Sequence, residues 1–267
     1  MTETVERTCY RHPDRITGLS CSECGRPICT ECMTMAPVGI RCPEHAGGQR
    51  VVDRSRAFGV AGRVTQLLIA INVGVYVAEL LTGGGVNGDR GWIFTHGVLF
   101  GPLVAAGDWW RLVTSAFMHY GPFHLLLNMY GLYFAGTLLE RAIGGWRFLL
   151  LYLVSGLAGS AGALVWSPNA LTLGASGALF GILGALFVLE RRGHLATEGQ
   201  IAGLIVINLI FTIAFASYIS VGGHVGGLIG GVAAMFLLTQ VRGNAALSAA
   251  GLAMIGVVAV VVAYSAI

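Results

Sequence analysis

The 267-residue chain contains no lysine: its 16 basic residues are all arginine, set against 13 acidic residues for a formal net charge of +3. The arginines are scattered rather than massed in one stripe, so the chain lacks the electrostatic footprint of a nucleic-acid binder and nucleic acid is not an expected partner. Charge of either sign is scarce, at 11% of residues, while 55% are hydrophobic and mean hydropathy is +0.74. Such a balance excludes an ordinary soluble domain and reads as a membrane protein. A secretory leader is also missing from the first fifty residues, which are polar and lack an apolar core segment; the N-terminus is expected in the cytosol. Beyond Cys42 there is no cysteine, and before Arg63 there is no long apolar run. That division predicts a small N-terminal domain over 1–46, a basic juxtamembrane linker over 47–63 carrying Arg50, Arg54, Arg56 and Arg63, and a membrane domain beyond. No tandem repeat is present.

Seven runs are long and apolar enough to cross a bilayer, over 64–82, 122–140, 147–166, 174–190, 201–217, 223–240 and 245–265. Arg50, Arg54, Arg56, Arg63, Arg141, Arg147, Arg191, Arg192 and Arg242 fall on one side of these spans, and only Arg90 and Arg111 on the other. The arginine-rich side is read as cytoplasmic, which puts the N-terminus in the cytoplasm and, after an odd number of spans, Ile267 outside. Residues 83–121 then form an outer loop. With Trp92, Trp109 and Trp110 it is unusually apolar, as expected of a segment lying in the interface or of a folded outer cap.

Strongly polar groups in a bilayer are costly and usually functional, so their depth is informative. His124 and Asn128 sit near the outer end of the second span, Ser176 at the start of the fourth and His224 at the start of the sixth, all at one depth. His124 and Asn128, four apart, share a helical face about 6 Å along the axis from one another and suit two donors reaching one oxygen. Ser176 lies in Gly174-Ala175-Ser176-Gly177, where small neighbours leave the hydroxyl open and a helix N-terminus favours a developing oxyanion. The same four residues also suit simple close packing. His224 supplies a base of matching pKa for a serine nucleophile, although a histidine in a membrane helix also serves as a core polar group or metal ligand. Gly227 and Gly231 on one helix, with Gly177, Gly181 and Gly184 on another, permit the close approach a catalytic pair needs. Of the outer-side carboxylates Glu79, Asp89 and Asp108, none is near His224 in sequence; a dyad is the simpler reading, with Glu79 a weak candidate as orienting partner.

These residues, met in order, resemble the rhomboid family of intramembrane serine proteases over roughly residues 60–240. The matching motifs are Trp110-Arg111, His119, His124-x-x-x-Asn128, Gly136-x-x-x-Glu140-Arg141, Gly174-x-Ser176-Gly177 and His224-x-x-Gly227-x-x-x-Gly231. The resemblance implies an all-α membrane protein with a six-helix core over 64–242, to which 243–267 adds a seventh, C-terminal transmembrane helix. It implies Ser176 as nucleophile, His224 as base, and an oxyanion hole made of the Ser176 backbone N–H, His124 and Asn128. Trp110 and Arg111 would order the first loop, His119 would help hold it, and Gly136, Glu140 and Arg141 would be structural. Phe180 departs from relatives that have a tyrosine stacked on the histidine; its ring keeps the stacking surface without the hydroxyl. Substrates would be transmembrane proteins cut in or beside a membrane segment, in the cell membrane, with no cofactor for catalysis. His96 and His194 receive no role.

The N-terminal residues are read separately. Cys9-x-x-His12, Cys21-x-x-Cys24, Cys29-x-x-Cys32 and Cys42-x-x-His45 make four ligand pairs, enough for two tetrahedral zinc ions. Three disulfides would leave the histidines unexplained and suit a reducing compartment poorly. About forty residues hold too little core to fold alone, so the zinc is read as structural. The spacings resemble a B-box zinc finger, whose interleaved pairing would join Cys9, His12, Cys29 and Cys32 on one ion and Cys21, Cys24, Cys42 and His45 on the other; sequential pairing is the rival. A regulatory protein partner, self-association or simple capping all fit this domain. For the whole chain the alternatives are a non-proteolytic rhomboid-like binder of membrane clients and a zinc-sensing membrane transporter.

Overall fold

The computed structural model describes residues 7–35, 39–45, 62–195, 197–241 and 243–267. The linker expected over 47–63 lies outside the described residues as far as residue 61, with Arg50, Arg54 and Arg56, and so does Arg242. The chain divides into two units, Met1–Val51 and Val52–Ile267.

The first unit has so few apolar side chains that its cysteines form its interior: Cys9, Cys21, Cys29, Cys32 and Cys42 are buried together with Ile28. Tight turns close the ligand pairs, with the backbone N–H of His12, Cys32 and His45 donating to the carbonyls of Cys9, Cys29 and Cys42 at 2.9–3.1 Å. Two short strands, β1 (Thr34–Met35) and β2 (Ile40–Arg41), pair antiparallel with Thr34 opposite Arg41. Far apart in sequence, Tyr10 and Arg11 both donate to the Glu44 carboxylate, Arg11 at 2.7 Å. The Tyr10 hydroxyl, then the Arg11 guanidinium, hold Glu44 down at about 2.

The described residues of the second unit are mainly helical. Helix α1 (Arg63–Glu79) runs on through a π turn at Leu80–Gly84. The segment expected as an apolar outer loop is folded, with α2 (Gly91–Gly97), α3 (Gly101–Ala105) and α4 (Arg111–Thr114). Helix α5 (Gly121–Gly131) passes through a π turn at Leu132–Gly136 into α6 (Thr137–Ile143). There follow α7 (Gly145–Trp166), α8 (Ser176–Arg191), α9 (Gln200–Ala214), α10 (Val221–Gln240) and α11 (Ala245–Ser265). The seven apolar runs fall on these helices, with 122–140 spread over α5, its π turn and α6 and 201–217 running past the end of α9 at Ala214. Among the described residues four helical stretches, Arg63–Gly84, α7, α10 and α11, are long and apolar enough on their own to cross a membrane; α9 is a shorter apolar helix. Helix α8 begins two residues later than expected because Gly174, at φ 125°, cannot join a right-handed helix.

Helix α10 packs against α7 and α8, and α11 covers α7. The core between them is built from side chains such as Leu132, Leu139, Phe148, Leu151, Ile182 and Leu186. At the seam of α8 and α10 backbone meets backbone: a methyl group on Gly227 would overlap the Gly177 carbonyl, and one on Gly231 the Gly181 carbonyl. Small residues thus set the helix separation, as is usual where lipid supplies no hydrophobic drive between helices.

Two buried charged residues anchor the helices around this core. The Glu140 carboxylate accepts the backbone N–H groups of Val64 and Thr65, at 3.1 and 2.8 Å, and the Thr65 hydroxyl at 2.7 Å, capping the N-terminus of α1 from a helix more than seventy residues away. Gly136 lets α1 come close, since a methyl there would meet Phe148 at 3.2 Å and the Thr65 methyl at 3.5 Å. Arg111 donates to Asp108 at 2.9 Å and to the carbonyls of Val98 and Thr95 at 2.9 and 2.8 Å, and the Trp110 indole donates to the His96 carbonyl at 2.9 Å. Together they close the 83–121 segment on itself. Arg141 is exposed in the last turn of α6.

Candidate active site

A turn delivers the serine. Gly174 is held by its N–H to the Ser115 carbonyl at 2.9 Å, and Leu99 and Thr172 exchange backbone hydrogen bonds at 3.0 and 3.1 Å, so the folded 83–121 segment grips the strand-like approach to α8. Ser176 is the first residue of α8 and its backbone N–H belongs to the unsatisfied first turn. Opposite stands His224 in the first turn of α10, a helix capped by the Ser220 hydroxyl accepting the Gly223 N–H at 3.1 Å.

Ser176 Oγ and His224 Nε2 are 2.8 Å apart. The Phe180 ring, one turn along α8, stacks on the imidazole with centroids 4.1 Å apart and planes inclined by 21°. The other ring nitrogen, Nδ1, lies 2.7 Å from the Thr212 hydroxyl of α9. Glu79, the carboxylate considered as an orienting group, is therefore not the partner of His224: it is fully buried, neither of its oxygens has a hydrogen-bond partner among the described residues, and it borders Gly88. Thr212 was not singled out by sequence. The available signal was the pair Asn208 and Thr212, four apart and polar, in an otherwise apolar helix.

His124 and Asn128 stand on the third side. The backbone N–H of Tyr120 donates to His124 Nδ1 at 3.2 Å, which requires that nitrogen to be bare and puts the neutral ring's proton on Nε2. That nitrogen borders Gly174: a methyl built there would lie 2.9 Å from His124 Nε2 and 3.7 Å from Ser176 Oγ. The buried Asn128 spends one amide hydrogen on the His124 carbonyl, at 2.9 Å, which leaves the second for another acceptor. His119 is fully buried with its ring 5.2 Å from that of His124. The structure thus brings Ser176, His224, His124 and Gly174 into one cluster, with Gly177, Gly227 and Gly231 at the seam behind it. Trp110, Arg111, Gly136, Glu140 and Arg141 lie outside it, and His96 stacks on Trp92 in the folded loop.

In the N-terminal unit Cys9, His12, Cys29 and Cys32 form one group of ligand atoms and Cys21, Cys24, Cys42 and His45 another, all within 4.8 Å of one another in each group. Tetrahedral zinc with Zn–S bonds of about 2.3 Å requires ligand atoms about 3.8 Å apart. Observed separations from His12 Nδ1 are 3.8, 3.4 and 3.3 Å to Cys9, Cys29 and Cys32, and Cys42 lies 3.8 Å from Cys24 and 3.1 Å from His45 Nδ1. Three thiols and an imidazole per group fit zinc, and the grouping is the interleaved one.

A family model described as Rhomboid domain matches residues 106–241. The chain is 42% identical over 171 residues to rhomboid protease GluP of Bacillus subtilis, an alignment covering 62% of this chain and 33% of GluP. It is 38% identical over 142 residues to YdcA of the same organism, covering 51% of this chain and 71% of YdcA. Inactive RHOMBOID-like protein 8 of Arabidopsis thaliana is 32% identical over 124 residues, covering 45% of this chain and 35% of that protein. The chain thus spans only a third of GluP. With the family's domain matched over half its length, and with four helices able to cross a membrane, the chain belongs to the rhomboid family of multi-pass membrane proteins.

Proposed function

We propose that this protein is an intramembrane serine protease that hydrolyses peptide bonds in or beside the transmembrane segments of membrane proteins. The observation that carries the reading is the 2.8 Å contact between Ser176 Oγ and His224 Nε2. In the reaction Ser176 Oγ attacks the scissile carbonyl carbon as its proton passes to His224 Nε2. The resulting oxyanion is received by the Ser176 backbone N–H, the His124 Nε2–H and the free amide hydrogen of Asn128. Collapse of this intermediate breaks the C–N bond, the amine leaves with the proton from His224, and an acyl ester remains on Ser176. Water then attacks the ester, giving its proton to His224 and, through a second oxyanion, releasing the acid and restoring the serine.

The protease core is assigned to 64–242, with 243–267 as an additional transmembrane helix and the N-terminus on the cytoplasmic side. Supporting that orientation, Arg63, Arg141, Arg147, Arg191 and Arg192 cluster at the helix ends opposite Ser176 in the chain's up-and-down order. Residues 1–46 hold two structural zinc ions, one on Cys9, His12, Cys29 and Cys32 and one on Cys21, Cys24, Cys42 and His45. The metal supplies cross-links to a unit whose interior is little more than its own ligands, and leaves its surface for a protein partner.

The test is cleavage of a model transmembrane substrate by the purified full chain in liposomes, comparing wild type with Ser176→Ala and His224→Ala, with zinc present or chelated. Cleavage by wild type alone supports the dyad. Equal behaviour of all three proteins across several substrates sinks it and favours the non-proteolytic binding of membrane clients.

A further inference from the structure

We infer that Thr212 is the positioning residue for the base: its hydroxyl takes the place of a carboxylate, fixing the ring of His224 and the nitrogen that carries its proton. The inference rests on the proteolytic reading for its consequence, but its structural content stands on hydrogen bonds alone.

Thr212 is 1% exposed, and its Oγ1 is 2.7 Å from two groups, the carbonyl of Asn208 and the Nδ1 of His224. A threonine hydroxyl has one hydrogen to give. The Asn208 carbonyl can only accept, so that hydrogen is spent on it, and the hydroxyl can offer only a lone pair to His224. Nδ1 must therefore bring the proton. A neutral imidazole with its proton on Nδ1 has a bare Nε2, and this is the nitrogen 2.8 Å from Ser176 Oγ. The polarity of one backbone carbonyl is thereby passed through Thr212 and His224 to the serine, whose hydroxyl is left to donate. The opposite tautomer would make the serine an acceptor with its own hydrogen turned away from the base, and would leave Nδ1 facing a spent hydroxyl. During acylation the ring becomes imidazolium and its bond to Thr212 becomes charge-assisted, which stabilises the intermediate. A hydroxyl does this without the desolvation cost of a carboxylate buried among apolar helices. Phe180 fixes the remaining freedom by stacking on the ring face.

The experiment uses the full chain in liposomes with the variants Thr212→Val, which keeps the shape and removes the hydroxyl, and Thr212→Ser, which keeps the hydroxyl. The expected result is a fall in kcat on the order of 10²-fold for valine with KM nearly unchanged, as for a weakened general base, and recovery to within about threefold of wild type for serine. A parallel measurement of the ¹⁵N shifts of labelled His224 should read the Nδ1–H form in wild type and Thr212→Ser, and lose it in Thr212→Val. Thr212→Ala replaces valine if that variant does not insert. A wild-type rate in the variant lacking the hydroxyl, or persistence of the Nδ1–H form in it, overturns the inference. Ser176→Ala in the same assay separates the two failures. If it cuts like wild type, the proteolytic reading falls while the ¹⁵N shifts still decide Thr212. If it is silent while Thr212→Val cuts normally, only the role of Thr212 falls.

Discussion

Gly174 offers a test that separates backbone strain from damage to the site. Its φ of 125° lies where L side chains rarely go, and Gly144, at φ 84°, shares that condition. Alanine at either position should destabilise the fold by about 1–3 kcal/mol through backbone strain. Their surroundings differ. A methyl on Gly144 meets nothing within 4 Å, whereas a methyl on Gly174 lies 2.7 Å from His124 Cε1 and 2.9 Å from its Nε2. Since ordinary contact begins at 3.4 Å, the ring must withdraw by about 0.7 Å. That ring is held by the Tyr120 N–H at 3.2 Å and backed by His119, so withdrawal breaks the bond that fixes its proton on Nε2. Losing one oxyanion donor costs about 10²–10³-fold in kcat. Gly174→Ala should therefore cut on the order of 10²-fold more slowly than Gly144→Ala at similar thermal stability. Kinetics in liposomes beside thermal unfolding would read both quantities. Equal rates for the two variants would refute the assignment of His124 to the oxyanion.

Other variants probe other parts of the molecule. Asn128→Ala should lower kcat by about 10²-fold with little change in KM, measured on the same substrate, because its donor is needed only once charge has developed. Glu140→Gln keeps one oxygen for Thr65 but turns an amide NH₂ toward the Val64 N–H in a buried cap; with charge-assisted bonds worth about 1.5–3 kcal/mol each, denaturant unfolding should show a loss of about 2–4 kcal/mol, and Thr65→Val about 1.5–3. In the N-terminal unit, Cys9→Ser with Cys29→Ser removes ligands from one interleaved group, so bound zinc should fall from about two to about one per chain. Cys9→Ser with Cys21→Ser damages both groups and should leave less than one; the reverse order of these losses would establish sequential pairing. Acid should release the metal from both groups, because protons compete for every thiolate and imidazole ligand, and titration with a chromophoric chelator would follow it.

What the sequence revealed and what it hid follow one physical line. Ser176, His224, His124 and Asn128 stood out because a polar side chain in an apolar helix is conspicuous, and helical period told which of them share a face. The glycines of α8 and α10 were legible for the same reason: a row of missing side chains leaves a mark in the sequence. Acceptors on the backbone leave none. Nothing in the letters indicates that Arg111 reaches the carbonyls of Thr95 and Val98, or that Glu140 receives the N–H groups of Val64 and Thr65. Hence composition leaves the 83–121 segment between an interfacial stretch and a folded outer cap, and only the resemblance points to an ordered loop. Thr212 was hidden differently. Threonine is unremarkable in a membrane helix because it can satisfy its own hydrogen on the carbonyl one turn back, and the lone pairs that remain are invisible until a histidine is seen beside them. Among the carboxylates, only Glu79 offers a weak candidate for orienting His224 beside the simpler dyad, and it makes no hydrogen bond to His224.

The seam also holds the proposed catalytic pair in place, behind the 2.8 Å contact that joins Ser176 of α8 to His224 of α10. Gly177 follows Ser176 directly, and Gly227 follows His224 by one turn, so the place where α8 and α10 touch backbone to backbone is next to the reacting atoms. The second contact, Gly181 with Gly231, lies about one turn further from the site along both helices. Two contacts on one line fix a crossing angle as well as a distance. A methyl at Gly227 pushes the helices apart at the site and must lengthen the 2.8 Å contact between Ser176 and His224 directly. At Gly231 it acts beyond the pivot at Gly227, opening the far side of the crossing and tilting the near side. The first change removes the pair's contact, whereas the second alters its angle, and a proton in flight between oxygen and nitrogen depends on both.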